Sequence, residues 1–198
     1  MPESVWESLV GAHDRVAGPA TRVAPAHEPV AAILACSDAR VPPSVIFDQP
    51  AGALFVVRIA GNTASPAALA SLDYAVSELG VELLIVLGHT GCGAVTAAAS
   101  GTCGGHLAPI AEPICDIART MPGASVDAIA RRNVVATVAA LADHAGPVGH
   151  AARAGRLEIR GAVHDLLSGR LEPAGFGPDA GTRSDLRPSS TSAPQEAS

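Results

Sequence analysis

The sequence is poor in aromatic residues, and it has neither a basic cluster nor a long apolar run. Aromatic side chains make up only 3% of the 198 residues, although hydrophobic residues make up 48%. A chain of this length fits one domain with tails, and its core must be built from Ala, Val, Leu and Ile. The formal net charge is -6, and no basic block is present to neutralise phosphates, so nucleic acid is not expected as a partner.

The sequence also lacks the features of a membrane or secreted protein. No apolar run approaches the roughly 20 residues that span a bilayer, so no membrane partner is expected. Residues 1–8 show no basic region followed by an apolar region, so a cytoplasmic location is expected. In that compartment the four cysteines should be thiols or metal ligands rather than disulfides. Cys103 and Cys115 match no ligand spacing and are expected to stay outside any site.

Apolar runs alternate with helical patterns of about 10 to 15 residues, which indicates an α/β domain with a mainly parallel sheet flanked by helices. The four predicted parallel strands are 30–35, 53–59, 81–87 and 157–166, with a short antiparallel edge strand as a further candidate at 170–173. The predicted helices are 3–16, 66–79, 93–100, 111–120, 127–144 and a short one that begins at Pro147. We expect an N-terminal helix and loop over 1–28, the main domain over 29–173 and a disordered tail over 174–198.

Two polar motifs each follow an apolar run of this predicted sheet. Cys36–Arg40 comes directly after the first strand, and His89–Gly93 comes directly after the third. Ligands of parallel sheets bind beyond the carboxyl ends of the strands, so the two motifs would face each other if these strands are neighbours. Two thiols and an imidazole, from Cys36, His89 and Cys92, are the donor set of a zinc site with one open position. The alternative is that both thiols are buried in the core and the histidine is satisfied in its loop.

Asp38 and Arg40 add a charged pair to the first motif. Residues two apart on an extended segment point to the same side, and an arginine can bind a carboxylate with two parallel hydrogen bonds. Asp38 would then be either a fourth metal ligand or the acceptor of a hydrogen bond from a metal-bound hydroxide. The alternative is an ordinary surface ion pair, which contributes little to stability.

The glycines of Gly88–Gly93 allow a second interpretation, a nucleotide-binding loop before a helix. The order of glycines is G-x-x-G-x-G rather than G-x-G-x-x-G, and no lysine follows as in a P-loop. The pattern therefore favours close approach of the backbone to a metal, with the N–H of Gly93 left free near the start of a helix.

These motifs resemble those of the β-class carbonic anhydrases. The resemblance rests first on Cys36–Val41 and Gly88–Val95, and it extends from about Pro29 to Glu172. Further matching stretches are 48–50, 55–62 and 160–165. It implies a zinc lyase, a carbonate dehydratase, that hydrates carbon dioxide reversibly to bicarbonate by zinc-bound hydroxide.

The resemblance also implies roles for individual residues. One Zn²⁺ per subunit would be held by Cys36, His89 and Cys92. Asp38 would either coordinate zinc in a closed form or pair with Arg40 in an open form. Gly93 would donate its N–H to a substrate oxygen. The subunits would assemble as a homodimer or a higher homo-oligomer, with the N-terminal helix that carries Trp6 embracing the partner.

The chain departs from the usual pattern of that family at several positions. His27 replaces a common Gln, and His164 replaces a common Tyr. Ile33 stands where some members have the Trp of a regulatory bicarbonate pocket, although Arg58 matches the Arg of that pocket. Two other functions stay open at this point. One is hydrolysis of carbon disulfide or carbonyl sulfide on the same scaffold, and the other is a catalytically silent zinc protein.

Overall fold

The computed structural model describes residues 5–16 and 27–174, and its five strands form one sheet in the order β2-β1-β3-β4-β5. The strands are β1 (Ala31–Ala35), β2 (Leu54–Arg58), β3 (Leu83–His89), β4 (Glu158–His164) and β5 (Leu171–Pro173). The first four are parallel, and β5 runs antiparallel to β4 at one edge. The predicted fold class, including the antiparallel edge strand, is confirmed.

The described part of the chain contains seven α-helices, of which α1 precedes the strands and the others connect or follow them. They are α1 (Val5–Val16), α2 (Pro43–Ile46), α3 (Pro66–Ser77), α4 (Gly93–Ala99), α5 (Ala108–Thr120), α6 (Val126–Asp143) and α7 (Pro147–Arg153). The side chains of Ser65 and Ser125 cap α3 and α6 by accepting hydrogen bonds from the backbone N–H of Ala68 and Ala128. The helix α5 begins three residues earlier than predicted because Pro109 fits the first turn of a helix.

The core is aliphatic, as the composition requires. The largest fully buried side chains are isoleucines, leucines and valines, together with a single histidine, His89. One cluster lies between the sheet and helices α3, α6 and α7, and a second surrounds Cys36 and Cys92 among helices α4, α5 and α6. The second cluster places Cys36 and Cys92 in apolar surroundings.

The expectation that all four cysteines are thiols or ligands is wrong for Cys103 and Cys115. These two residues form a disulfide, with their Cα atoms 5.9 Å apart. Cys103 lies in the loop after α4 and Cys115 lies on α5, and the two helices pack against each other. Their proximity arises from helix packing, which the spacing of cysteines along the sequence does not reveal. Cys36 and Cys92 are free thiols.

Removing this disulfide is expected to lower stability without affecting the metal site. The disulfide joins residues 12 apart in sequence. Replacing both Cys103 and Cys115 with Ala should lower the free energy of unfolding by about 2–3 kcal/mol, because the open chain gains conformational entropy when unfolded. Denaturant unfolding measures the change, and wild-type protein kept in reductant is the matched control. A reduced wild type as stable as the oxidised protein would contradict this prediction.

Some sequence-based expectations lie outside the described residues. The predicted disordered tail falls there except for Ala174, as does most of the loop that was predicted after the first helix. The division into an N-terminal segment, a main domain and a tail therefore stays a prediction. Among the helices of residues 5–16 and 27–174, none has the length and apolar character needed to cross a membrane.

Candidate metal centre

The sheet brings the two polar motifs together. Strands β1 and β3 are adjacent and parallel, with Ala35 opposite Leu87. Cys36 follows the end of β1, His89 is the last residue of β3, and Cys92 immediately precedes α4. The geometric condition stated from the sequence, that the first and third strands are neighbours, is therefore met.

Three buried side chains converge at the carboxyl ends of β1 and β3, in a geometry that fits zinc. The ligand atoms of Cys36, His89 and Cys92 all lie within 4.8 Å of one another. The two sulfur atoms are 3.9 Å apart, and a tetrahedral zinc with Zn–S bonds of about 2.3 Å would separate them by about 3.8 Å. The Nδ1 of His89 donates to the carbonyl of Thr90 at 2.9 Å, whereas Nε2 is buried with no hydrogen-bond partner among the described residues. An orphaned nitrogen beside two thiols fits a metal ligand better than a satisfied loop histidine.

The thiols of Cys36 and Cys92 form a hydrogen bond with each other, which shifts the pKa of both groups. The hydrogen bond with Cys92 lowers the pKa of the Cys36 thiol well below its usual range, and the backbone amide of Gly61 also favours the thiolate. The same interaction raises the pKa of Cys92. Burial lowers the pKa of His89, but its interactions with Cys36, with the backbone of Thr90 and with Asp38 together outweigh burial, so the net change is upward. A metal held by two thiolates would displace any proton that either thiol carries, so metal affinity should rise with pH.

Asp38 and Arg40 form a two-pronged ion pair beside this group. The Nε of Arg40 donates to Asp38 Oδ1 at 2.9 Å and its Nη2 donates to Oδ2 at 2.6 Å, while the backbone N–H of Arg40 also donates to Oδ1. These bonds hold the pKa of the Asp38 carboxyl well below its usual range. Asp38 Oδ2 is also 3.9 Å from Nε2 of His89, so the carboxylate faces the candidate metal-binding group formed by Cys36, His89 and Cys92. The structure thus has Asp38 paired with Arg40.

Arg58, which matches an arginine of the regulatory pocket by resemblance, lies at the end of β2 and supports the first motif. Its Nε donates to the carbonyl of Cys36 at 2.9 Å, and its Nη2 donates to the carbonyl of Asp38. Arg58 pairs with Ala35 across the sheet, which places its side chain within reach of the segment that follows β1. The guanidinium therefore fixes the backbone that carries both Cys36 and Asp38.

A buried hydrogen-bond relay that the sequence did not reveal supports Cys36. The backbone N–H of Gly61 donates to the sulfur of Cys36 at 3.3 Å, and the side chain of Asn133 donates to the carbonyl of Gly61 at 2.8 Å. Gly61 has a φ of +68°, and a Cβ there would lie 2.6 Å from the Cδ1 of Ile114. The one signal in the sequence is a polar residue, Asn133, beside the apolar stripe of the helix predicted over 127–144, which is α6 in the structure.

Replacing Asn133 with Ala is expected to weaken zinc binding as well as to destabilise the fold. The loss leaves the Gly61 carbonyl without its buried donor and should cost about 1–3 kcal/mol of unfolding free energy. Loss of a residue that supports a metal ligand typically lowers metal affinity by about 10- to 100-fold. Zinc should therefore transfer to a chelator faster from this variant than from the wild type. Thr137→Ala truncates another buried polar side chain of α6 and is the matched control. Equal zinc transfer rates for the two variants would contradict a role specific to Asn133.

Gly93 begins α4 on the open side of the site. A Cβ built on Gly93 would meet nothing within 4 Å, and the residue is exposed. The first N–H groups of a helix have no partner within the helix. The amide of Gly93 is therefore available to an acceptor that approaches the metal-binding group.

Comparisons with known proteins agree on one family. Residues 31–171 match the carbonic anhydrase family. Carbonic anhydrase 2 of Mycobacterium tuberculosis is 36% identical over 188 residues, which cover 85% of this chain and 91% of the relative. The carbonic anhydrase of Pseudomonas aeruginosa is 39% identical over 160 residues, covering 73% of this chain and 72% of the relative.

Solved structures show the same similarity. One similar structure comes from a pair of β-carbonic anhydrases of Sordaria macrospora that are described as tetrameric. It superposes with a TM-score of 0.72 at 27% identity, covering 88% of this chain and 93% of that one. A Coccomyxa β-carbonic anhydrase in complex with acetazolamide gives a TM-score of 0.68 at 25% identity, covering 85% of this chain and 81% of that one.

Proposed function

The chain belongs to the β-carbonic anhydrase family and is a lyase that hydrates carbon dioxide reversibly to bicarbonate, and we propose that it does so with one zinc ion held by Cys36, His89 and Cys92. The observation that carries this proposal is the convergence of three buried donor atoms within 4.8 Å. When bound, zinc supplies a Lewis acid that brings the pKa of water close to neutrality. Two thiolates and a neutral imidazole make up the donor set of catalytic rather than structural zinc sites.

Asp38 and Arg40 are the proposed catalytic side chains. Asp38 is ionised because the guanidinium of Arg40 lowers the pKa of its carboxyl group. An ionised carboxylate that faces the metal-binding group accepts a hydrogen bond from the attacking water and orients a lone pair toward carbon dioxide. Arg40 holds the carboxylate in that position with two hydrogen bonds, at 2.9 and 2.6 Å. The N–H of Gly93 donates to a substrate oxygen as negative charge develops there.

The presence of this ion pair favours an active enzyme over a silent zinc protein. A zinc site that serves only assembly would need four protein donors and no carboxylate poised beside an open position. Stopped-flow hydration assays on protein of measured zinc content test the proposal, with carbon disulfide and carbonyl sulfide as competing substrates. Fully zinc-loaded protein that turned over either sulfur compound but not carbon dioxide would overturn it.

We also propose that the subunits form a homodimer or a higher homo-oligomer through α1. Val5, Trp6 and Leu9 on this helix are 77%, 74% and 64% exposed. An apolar helix face of this kind is unfavourable in water and favours burial against a second copy. The Sordaria relatives are described as tetrameric. Sedimentation of the purified protein tests the proposal, and a monomer at micromolar concentration would contradict it.

The cytoplasmic location stays a prediction. The disulfide between Cys103 and Cys115 argues in the other direction, because disulfides persist mainly in oxidising compartments. Alkylation of thiols in intact cells, followed by mass analysis of the protein, distinguishes a reducing compartment from an oxidising one. Both cysteines alkylated without prior reduction would support a reducing compartment.

A further inference from the structure

Asp127 contacts the loop that carries two of the proposed zinc ligands. Neither the sequence pattern nor the family resemblance assigns a role to this residue. Asp127 lies in the first turn of α6. Its Oδ1 accepts a hydrogen bond of 2.8 Å from the backbone N–H of Gly91. Gly91 lies between His89 and Cys92, so this bond ties the start of α6 to the short segment that joins the two ligands.

The carbonyl of Gly91 is held from a second direction. The Nη2 of Arg40 donates to it at 3.3 Å while also donating to Asp38 Oδ2 at 2.6 Å. Gly91 therefore has its N–H bound by one ionisable side chain and its carbonyl approached by another. The residue itself is exposed and has a φ of +61°, so little packing restrains it. The two polar contacts act directly on the peptide groups on either side of Gly91.

Resting on the proposed zinc function, we propose that Asp127 is a positioning residue that sets the orientation of the Gly91 backbone and, through it, the placement of Cys92 and Arg40. Its bond to the Gly91 N–H fixes the peptide group that precedes Gly91. The peptide group that follows, which presents the carbonyl to Arg40 and leads into Cys92, is thereby restrained. Asp127 thus links the ligand loop to the Asp38–Arg40 pair without touching substrate.

The position of Asp127 explains why a carboxylate can serve there. The side chain is exposed and lies near the positive end of the α6 dipole, which favours a negative charge. The cap of α6 is supplied separately by Ser125, whose side chain accepts from the N–H of Ala128 at 3.2 Å. Asp127 is therefore not needed as the helix cap, and its bond to Gly91 is a distinct interaction.

Three variants separate positioning from a general charge effect. Asp127→Ala removes the acceptor, Asp127→Asn keeps an acceptor oxygen but removes the charge, and Asp116→Ala removes an exposed carboxylate from α5 as the matched control. Zinc transfer from the holoprotein to a chelator, the absorption spectrum after replacement of zinc by cobalt(II), and hydrogen exchange at the Gly91 amide are measured for each. Carbon dioxide hydration is measured in parallel.

Loss of a residue that orients metal ligands typically lowers metal affinity by about 10- to 100-fold, so Asp127→Ala should release zinc faster than wild type by a factor in that range. Its cobalt spectrum should shift, its Gly91 amide should exchange faster, and its kcat should fall more than its KM rises. Asp127→Asn should restore most of each loss, and Asp116→Ala should match wild type. Thermal unfolding of the holoproteins confirms that each variant is folded.

Several results would overturn this proposal. One is an unprotected Gly91 amide in the wild-type holoprotein, which would mean that the bond is absent. Another is zinc release from Asp127→Ala within about twofold of wild type, well below the expected effect. A third is an Asp127→Asn variant as impaired as Asp127→Ala, because charge rather than the hydrogen bond would then be responsible. Wild-type protein that holds zinc but fails to hydrate carbon dioxide would refute the proposed function instead, and zinc release and exchange would still decide the role of Asp127.

Discussion

Replacing Cys92 with Ala is expected to abolish tight zinc binding and, with it, carbon dioxide hydration. The variant keeps only two of the three donors that lie within 4.8 Å of one another. Free water has a pKa of about 15.7, so without the metal almost no nucleophile forms at neutral pH and the rate should fall on the order of 10³-fold or more. Metal analysis after dialysis and stopped-flow hydration measure the two effects on the same sample.

The disulfide pair provides a matched control for the loss of a cysteine. The double variant of Cys103 and Cys115 removes two sulfur atoms that lie outside the metal-binding group, so it should keep one zinc per chain and near-normal turnover. The assignment of Cys92 would be wrong if Cys92→Ala retained a full complement of zinc and hydrated carbon dioxide at the wild-type rate.

Asp38→Asn is expected to keep zinc and lose most activity. The amide is close in size to the carboxylate, but it carries no charge and its NH2 group cannot accept a hydrogen bond. The variant therefore keeps one acceptor oxygen, which cannot both replace the two-pronged bond to Arg40 and accept a hydrogen bond from the attacking water. A loss of about 10²- to 10⁴-fold in kcat is typical when such a group is removed. Asp143→Asn, an exposed carboxylate at the far end of α6, is the control and should behave as wild type.

The pH dependence of this loss follows from the direction of the pKa shift. Hydrogen bonds from Arg40 lower the pKa of Asp38, so its carboxylate stays ionised until the solution is strongly acidic. The ratio of wild-type to variant rates should therefore be constant between about pH 6 and 9, well above the usual carboxyl range. A ratio that fell to one at the acidic end of this interval would show that Asp38 titrates there, which would contradict the assigned role of Arg40.

Local patterns in the sequence were sufficient to predict the sheet and the convergence of Cys36, His89 and Cys92. Apolar runs lead into Cys36 and His89, which places both residues at the carboxyl edge of a parallel sheet. That placement depends only on the direction of the strands. The spacing of Asp38 and Arg40 predicts their pairing because residues two apart on an extended segment face the same side. The antiparallel β5 was predicted from the turn at Ser168 and Gly169 that precedes it.

The residues that support the site were not predictable from such patterns. Arg58, Asp127 and Asn133 contact the site from β2 and α6, at distances in sequence that only the packed fold brings together. The disulfide of Cys103 and Cys115 has the same origin, since it depends on how α5 packs against α4. In each case the sequence shows an ordinary polar residue or cysteine on a helix, strand or loop, and the contact is decided by tertiary packing.

The most direct test of the central claim is a zinc titration of metal-free protein with carbon dioxide hydration measured at each step. If Cys36, His89 and Cys92 hold the one catalytic zinc, hydration should start near the uncatalysed rate and rise in proportion to added zinc. It should then stop rising at one zinc per chain, and Cys92→Ala should show no rise. Metal-free protein that hydrates carbon dioxide at the full rate, or fully loaded protein with no hydration between about pH 7 and 9, where a metal-activated water is expected to ionise, would contradict the account.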